Sequence, residues 1–491
     1  MGISFNAASL LNGNGINVQS VVTAILAPEN AVITQYQNQQ TDLSTNAGLL
    51  SGYNNNLTSL EAAVVALANP TGPLASQSAT SSDSSILTAS AATTATAGTH
   101  QIVVSNLATT GTLYTNPLTN GTTSFLTSPA TTGDIKLQVG GGGGTTHDIV
   151  ITQGSNDTLN TLASYINTQN WGVTANVVTD SSGARLALYS QSTGTPGALA
   201  ITNNDTGLTF NTPVGGTNAS LTIDGVPYSS ATNTVTGAIG GVTLNLASAA
   251  PGTTVQLTVG PDTTQATNAI NAFVSAYNTL IGDLNTQFTV DPTTNSEGPL
   301  GGDVALRSLQ SSLLNDVSYG ITGNSGLVNL ASLGIEINND GTLTVNQTAI
   351  DTTTEYSPAF SDVLAANPSA VQSFFQNASG TGFAQNFNND LANLTDPTTG
   401  ILNLDIADNK THQNALTTQI ANLQDRLTME QAALTLEYDQ VNANLEAYPS
   451  LLLEVTSEIA ALNGNYSTTS GTSTTSTTST NTTPATGTAT G

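Results

Sequence analysis

The chain has 491 residues, of which 38% are hydrophobic and only 8% charged, with five Lys and Arg against 32 Asp and Glu and a net charge of -27. That length has room for about three domains, and so few bases exclude nucleic acid as a partner, because displacing counterions from phosphates needs Lys and Arg; an anionic membrane surface is disfavoured for the same reason. Cysteine is absent, which excludes disulfides, thiol catalysis and thiolate metal sites, and no apolar run reaches the ~18 residues of a membrane span, so no membrane insertion is expected.

The first residues, Met1-Gly2-Ile3-Ser4-Phe5, carry no basic region, and the first base is Lys136. An ordinary secretory signal is therefore not expected; a chain of this kind would leave the cell by a route that reads no cleaved signal. Residues 1–16 are polar and rich in Gly and Asn, and read as extended or disordered. A helix is predicted from Asn17, with Val18, Val21, Val22, Ile25 and Leu26 on one face and an interruption at Pro28. Residues 1–35 thus read as a terminal segment that orders on assembly, together with 450–463.

Between Tyr36 and Leu67 one heptad position reads Tyr36, Leu43, Leu50, Leu57, Val64, and the other reads Gln39, Asn46, Tyr53, Leu60, Leu67. This is the seam of a helix lying along another helix, polar in its first half and apolar in its second. Asn69-Pro70-Thr71-Gly72-Pro73 stops it.

From Ile86 to Val259 the pattern turns to short strands between Gly, Thr and Asn turns: Ile102–Val104, Ile135–Val139, Ile149–Ile151, Leu186–Tyr189, Leu221–Gly225, Val242–Leu246 and Val255–Val259. One helix is predicted at Thr158–Thr168. Gly140–Gly144 reads as a hairpin loop, because no Lys-Ser/Thr pair follows to make it a phosphate loop. Residues 133–212 read as an insertion in the β domain formed by 73–132 and 213–262.

Helical spacing returns at Ala266, Ile270, Phe273, Val274, Tyr277, Leu280, Ile281 and Leu284, and Asp303 caps a further helix. Asn339-Asp340-Gly341-Thr342 is a hairpin turn between Ile335–Ile337 and Leu343–Val345. Pro368 opens a short helix through Phe375, and another closes before Asp396-Pro397. The final helices carry Leu416, Ile420, Leu423, Leu427, Leu434, Tyr438, Val441, Leu445, Tyr448, Leu452, Val455, Ile459 and Leu462 in alternating steps of four and three. The phase slips once, at Glu430 and Gln431, and Pro449 should end or kink the helix near Tyr448. The part before Pro449 would be ~70 Å long and needs a partner, which the seam of Tyr36–Leu67 could supply; Leu57, Leu60, Val64 and Leu67 should face seam residues of the carboxy-terminal helices or of the helix at Ala266–Leu284. Residues 464–491 form a Ser/Thr/Gly tail without apolar pattern.

These readings describe an α+β multidomain protein in which a terminal α-helical coiled-coil stalk, 36–72 with 263–449, carries inserted β-rich domains. Leu43, Leu50, Leu57, Leu60, Val64 and Leu67, with the carboxy-terminal seam, are its candidate assembly residues. Chemistry is poorly provided for. The three histidines, His100, His147 and His412, stand apart from one another with no nucleophile-elbow motif, and there is no His-Glu-x-x-His pair or Cys/His cluster for a metal. No catalytic residue, cofactor or metal is expected, and Trp171 reads as a core or rim residue.

The order of elements resembles that of the flagellar hook-associated protein 2 family, the bacterial flagellar filament caps. Gly15-Ile16-Asn17-Val18 with Val21-Val22 and Ile25-Leu26 resembles the family's amino-terminal signature. His100-Gln101-Ile102-Val103-Val104 resembles the strand that opens its second domain. Gly133–Ile201 is similar to a repeat shared by flagellin and hook proteins. The most specific run is Leu221-Thr222-Ile223-Asp224-Gly225-Val226, leading through Pro251-Gly252-Thr253-Thr254-Val255 into Ala272-Phe273-Val274-Ser275-Ala276-Tyr277-Asn278.

The resemblance implies a structural assembly factor, exported without a cleaved signal, that forms a ring of about four to six copies at the filament tip. It further implies that the terminal helices engage flagellin and help exported subunits fold and insert, and that a flagellar export chaperone is a further partner. Alternatives are another flagellar axial protein (flagellin or a hook–filament junction protein) and a secreted adhesin whose β domains bind glycans in cell adhesion. The Asp224-Gly225 run and the Phe273–Ile281 helix speak against the first of these.

Overall fold

The computed structural model describes residues 11–12, 15–351 and 356–464. Its helices are α1 (Val18–Ala68), α2 (Leu159–Thr168), α3 (Thr263–Phe288), α4 (Val304–Val317), α5 (Phe360–Ala366), α6 (Pro368–Phe375), α7 (Phe383–Thr395) and α8 (Ile401–Gly464), with antiparallel β modules between α1 and α3. The chain divides into two compact units, residues 1–48 with 406–491 and residues 49–405. The fold is α+β and multidomain, with long helices from both ends of the chain. Among the described residues no helix is long and apolar enough to cross a membrane.

Neither of the two prolines in the terminal helices ends its helix. Pro28 lies inside α1 and Pro449 inside α8, and both helices continue through them. An interior proline removes one hydrogen bond and crowds the carbonyl four residues back, at a cost of ~3 kcal/mol. Around Pro28 the burial of Val22, Leu26 and Ile33 in one apolar seam offsets that cost. Around Pro449 every residue from 443 to 461 is exposed, so water can reach the carbonyl that loses its partner. The phase slip at Glu430 and Gln431 likewise leaves α8 unbroken. Near the amino terminus Leu11–Asn12 pairs with Gly15–Ile16 as a minimal hairpin rather than plain extended chain. Residues 1–10 and the Ser/Thr tail from 465 onward fall outside the described residues.

In the 49–405 unit the β region holds two separate cores. One is closed by a five-stranded antiparallel sheet, in the order Val226–Ser230, Ala219–Ile223, Gly98–Asn106, Val255–Pro261, Gln77–Ser81. A three-stranded sheet of Thr234–Ile239, Val242–Leu246 and Leu87–Ala91 completes it. Alternation along these strands sends Ile102, Val104, Leu221, Leu244, Val255 and Leu257 into one core. The turn between Ala219–Ile223 and Val226–Ser230 places both central residues, Asp224 and Gly225, at positive φ (51° and 82°). That geometry suits the Asp-Gly pair found there.

The second core joins two three-stranded sheets to α2 and buries Leu137, Ile151, Leu159, Leu162 and Leu186. Thr158 caps α2, its hydroxyl accepting from the Thr161 amide at 3.2 Å while the Thr158 amide donates back to Thr161 Oγ1 at 3.1 Å. The strand Thr110–Tyr114 belongs to this core, because it pairs with Gly183–Thr193. This strand lies within 73–132, the stretch expected in the outer β domain, yet its pairing is with the inserted module. Strand alternation gives each face its pattern but does not say which sheet a short strand joins.

The helical part of the unit is aromatic. Phe273 of α3 meets Phe383 and Phe387 of α7 edge to face, and Phe374 of α6 stacks on Phe383 with ring centroids 5.4 Å apart. Asp262 and Asp303 cap α3 and α4 by accepting two backbone amides each. Asn278 of α3 grips the Ile335–Ile337/Leu343–Val345 hairpin by donating to the Leu343 carbonyl and accepting from its amide.

Candidate assembly surface on the terminal helices

In the unit formed by 1–48 and 406–491, α1 and α8 lie side by side. Val22, Leu26 and Ile33 of α1 and Ile420 and Leu427 of α8 are buried in one cluster, flanked by Val18, Tyr36, Leu423, Leu434 and Tyr438. Two polar contacts fix the direction. Gln40 Nε2 donates to Thr417 Oγ1 at 2.7 Å, and Arg426 Nη2 lies 3.6 Å from Glu29 Oε2. Residue numbers fall along α1 as they rise along α8, so the pair is antiparallel. The Arg426–Glu29 pair is largely exposed and contributes at most about 1 kcal/mol; the seam is held by its apolar face. A groove of about 340 Å3 runs along one side, with Leu26, Ile33 and Leu427 on its floor and Asn30, Gln37, Gln424 and Gln431 on its walls.

This register has a consequence at the far end. It sets Val18, where α1 starts, near Tyr438, so residues 439–464 of α8 project ~39 Å past the start of α1. Val441, Leu445, Tyr448, Leu452, Val455 and Ile459 are all exposed there, Leu452 to 63%, as are Leu451 and Leu453. The same stretch carries Asp439, Glu446, Glu454 and Glu458, and α8 has no base after Arg426. It therefore presents an apolar stripe bordered by negative charge alone. Leu462, the last residue of the sequence seam, lies outside the residues whose side chains are described.

The sequence-named residues thus separate into three groups. Leu416, Ile420, Leu423, Leu427 and Leu434 lie along the part of α8 beside α1, with Ile420 and Leu427 buried and the others half-buried; Leu43 is half-buried as well. Leu50, Leu57, Leu60, Val64 and Leu67 are buried in the 49–405 unit. There α1 runs beside α3, with Asn56 Nδ2 donating to Asp283 Oδ2 at 2.7 Å. Burial and the adjacent Asp283 carboxylate push the Tyr53 hydroxyl above its ordinary range. Val441, Leu445, Val455 and Ile459 form the third, exposed group. The expectation that α8 pairs with Tyr36–Leu67 is therefore corrected: the observed contacts of Thr417–Tyr438 are with Val18–Gln40. Val22, Leu26 and Ile33 complete that seam at steps of four and seven, with Tyr36 three residues further on.

In the 49–405 unit, His100 and His147 each have a local partner. His100 Nδ1 lies 2.8 Å from Asp224 Oδ2, whose other oxygen accepts the Gln101 amide. That carboxylate is held below its usual range, first by the imidazole and then by the amide. His147 stacks on Trp171 at 4.5 Å, and Tyr165 meets Trp171 edge-on, so this indole completes a ring cluster at the rim of the inserted core. Among the described residues no group of His, Asp and Glu is arranged to hold a metal ion.

Comparison with known proteins bears on the whole chain. The signature described as "Flagellar hook-associated protein 2 N-terminus" matches residues 14–111, and "Flagellar hook-associated protein 2 C-terminus" matches residues 216–448. Between them the "Flagellin hook IN motif" matches residues 134–192. The B-type flagellar hook-associated protein 2 of Pseudomonas aeruginosa is 27% identical over 449 residues, covering 85% of this chain and 90% of that protein. The flagellar hook-associated protein 2 of Escherichia coli K12 is 26% identical over 350 residues, 67% of this chain and 73% of that one. A crystal structure of the D1-D2-D3 domains of the Escherichia coli flagellar cap protein FliD superposes with a TM-score of 0.57 at 26% identity, covering 74% of this chain and 99% of that chain. Terminal signatures flanking the inserted motif in the same order as the helices and β modules, and a solved cap that shares the fold, lead to one conclusion: the chain belongs to the flagellar hook-associated protein 2 family and is a flagellar filament cap protein.

Proposed function

We propose that the projecting part of α8, with the groove beside the α1–α8 seam, is the surface through which this cap engages its neighbours. The carrying observation is the exposed stripe Val441, Leu445, Tyr448, Leu452, Val455 and Ile459 beyond the end of its intrachain partner. Apolar side chains repeated at heptad spacing are a large cost to leave in water, and a helix of another subunit laid along them would remove that cost. In a ring of about four to six copies, the stripes would serve as legs that take flagellin helices in turn and help each exported subunit fold and insert. The scarcity of charged pairs along the seam suits such exchange, because little geometry is fixed by ion pairing. Export without a cleaved signal fits the same reading, with a flagellar export chaperone shielding the stripe before assembly.

The test is the double substitution Leu452→Asp and Ile459→Asp in the full chain. Both sites are exposed, so the thermal unfolding curve should match that of wild type. Electron microscopy should show no rings, and cells should release unpolymerised flagellin. Normal rings and filaments from a stably expressed double variant would overturn the assignment.

A further inference from the structure

The scarcity of bases has a local consequence in the helical core of the 49–405 unit. Asp316, in the last turn of α4, is only 6% exposed, and its Oδ2 has no hydrogen-bond partner. Asp390, in the middle of the facing helix α7, lies within hydrogen-bonding reach. From α3, the other helix packed on α4, Tyr277 faces the same place, fully buried and with its hydroxyl also unpartnered. The remaining titratable groups on these helices are engaged elsewhere. Asp283 of α3 accepts from Asn56, and Arg307 of α4 donates to the Gly301 carbonyl at 2.6 Å, lies 3.3 Å from Glu297 and covers the Phe288 ring. No cation adjoins Asp316 among the described residues.

Two carboxylates this close, one of them buried and neither with a counter-ion among the described residues, cannot both ionise without a large penalty. A proton held on Asp316 and donated to the Asp390 carboxylate removes the repulsion and satisfies an oxygen otherwise left bare. We propose that Asp316 keeps its proton at neutral pH and donates it to Asp390, making the α4–α7 contact a proton-dependent latch in the helical core of this unit.

Burial, reinforced by Asp390, pushes the Asp316 carboxyl up to about 8. The sign follows from that direction. The folded chain keeps a proton that the unfolded chain releases at the ordinary carboxylate value of about 3.9. The latch contribution is therefore greatest at and below that value. It declines as pH rises toward about 8 and is level above, where both states are ionised. The unit should loosen in alkaline medium.

Infrared spectroscopy of the full wild-type chain should show the C=O stretch of a protonated carboxyl group at neutral pH, disappearing as the medium is made alkaline. Asp316→Asn should lack that band and should flatten the fall in thermal midpoint between about pH 5 and about pH 8. Asp390→Asn should retain the band but lose it at lower pH than wild type, because one source of repulsion is gone. Absence of the band from wild-type protein at neutral pH would overturn the proposal, whatever the variants do. So would its persistence unchanged in Asp316→Asn.

Discussion

Residues 50–67 of α1 and residues 441–459 of α8 carry almost the same heptad pattern, yet they end in opposite environments. Leu57, Leu60, Val64 and Leu67 are fully buried, whereas Val441, Leu445, Val455 and Ile459 are each at least 38% exposed. The difference lies in what the chain supplies beside each helix. The first stretch has α3 alongside in the same compact unit. The second has outrun α1, which begins only at Val18. A heptad therefore specifies a face that wants a partner, and the antiparallel register decides whether that partner belongs to the same chain. The uncovered seam is the one assigned here to assembly.

Substitutions can break this comparison, beginning with the best-covered sites. Phe383→Ala removes a ring packed against Phe273, Phe374, Phe375 and Phe387 and should cost about 3–5 kcal/mol in chemical denaturation. Leu60→Ala, at a fully buried seam position, should cost about 2–5 kcal/mol. Adding Leu67→Ala should loosen the helical part while circular dichroism still reports folded β modules. Ile420→Ala truncates a residue buried between only two helices, and should fall near the low end of that range, at about 2 kcal/mol. Gly52→Ala should act in the opposite direction. A Cβ there meets nothing within 4 Å, so the helix should gain roughly 0.5–1 kcal/mol. Leu452→Ala, on the projecting stripe, should stay within about 0.5 kcal/mol of wild type. A loss of stability at Leu452 comparable to that at Leu60 would erase the contrast between the two seams.

Much of the fold was legible in the sequence, where local chemistry decides it. Asp303 reads as a helix cap because its carboxylate can accept the first free amides, and it does so. The Asn339–Thr342 turn was legible because Asp-Gly between alternating apolar residues suits a tight hairpin. The errors arose where tertiary packing outweighs local preference. Pro28 and Pro449 each carry a helix-breaking cost, but α1 and α8 pass through both. The strand Thr110–Tyr114 joined a different sheet because edge pairing depends on neighbours distant in sequence. Of the candidate surface, the seam positions themselves could be read from spacing. Their partition into covered and uncovered residues could not, since it depends on the register between two helices almost 400 residues apart. Asp316 gave no signal, because its character comes from burial and from Asp390 on a helix distant in sequence.

Residues 443–461 of α8 are exposed in the single chain and should gain cover in the cap. Hydrogen exchange followed by mass spectrometry, on the isolated subunit and on assembled rings or caps, measures this directly. The amides of this stretch should exchange rapidly in the subunit and become protected on assembly, while those of residues 57–67 remain protected in both. Equal protection of 443–461 in the two states would contradict it.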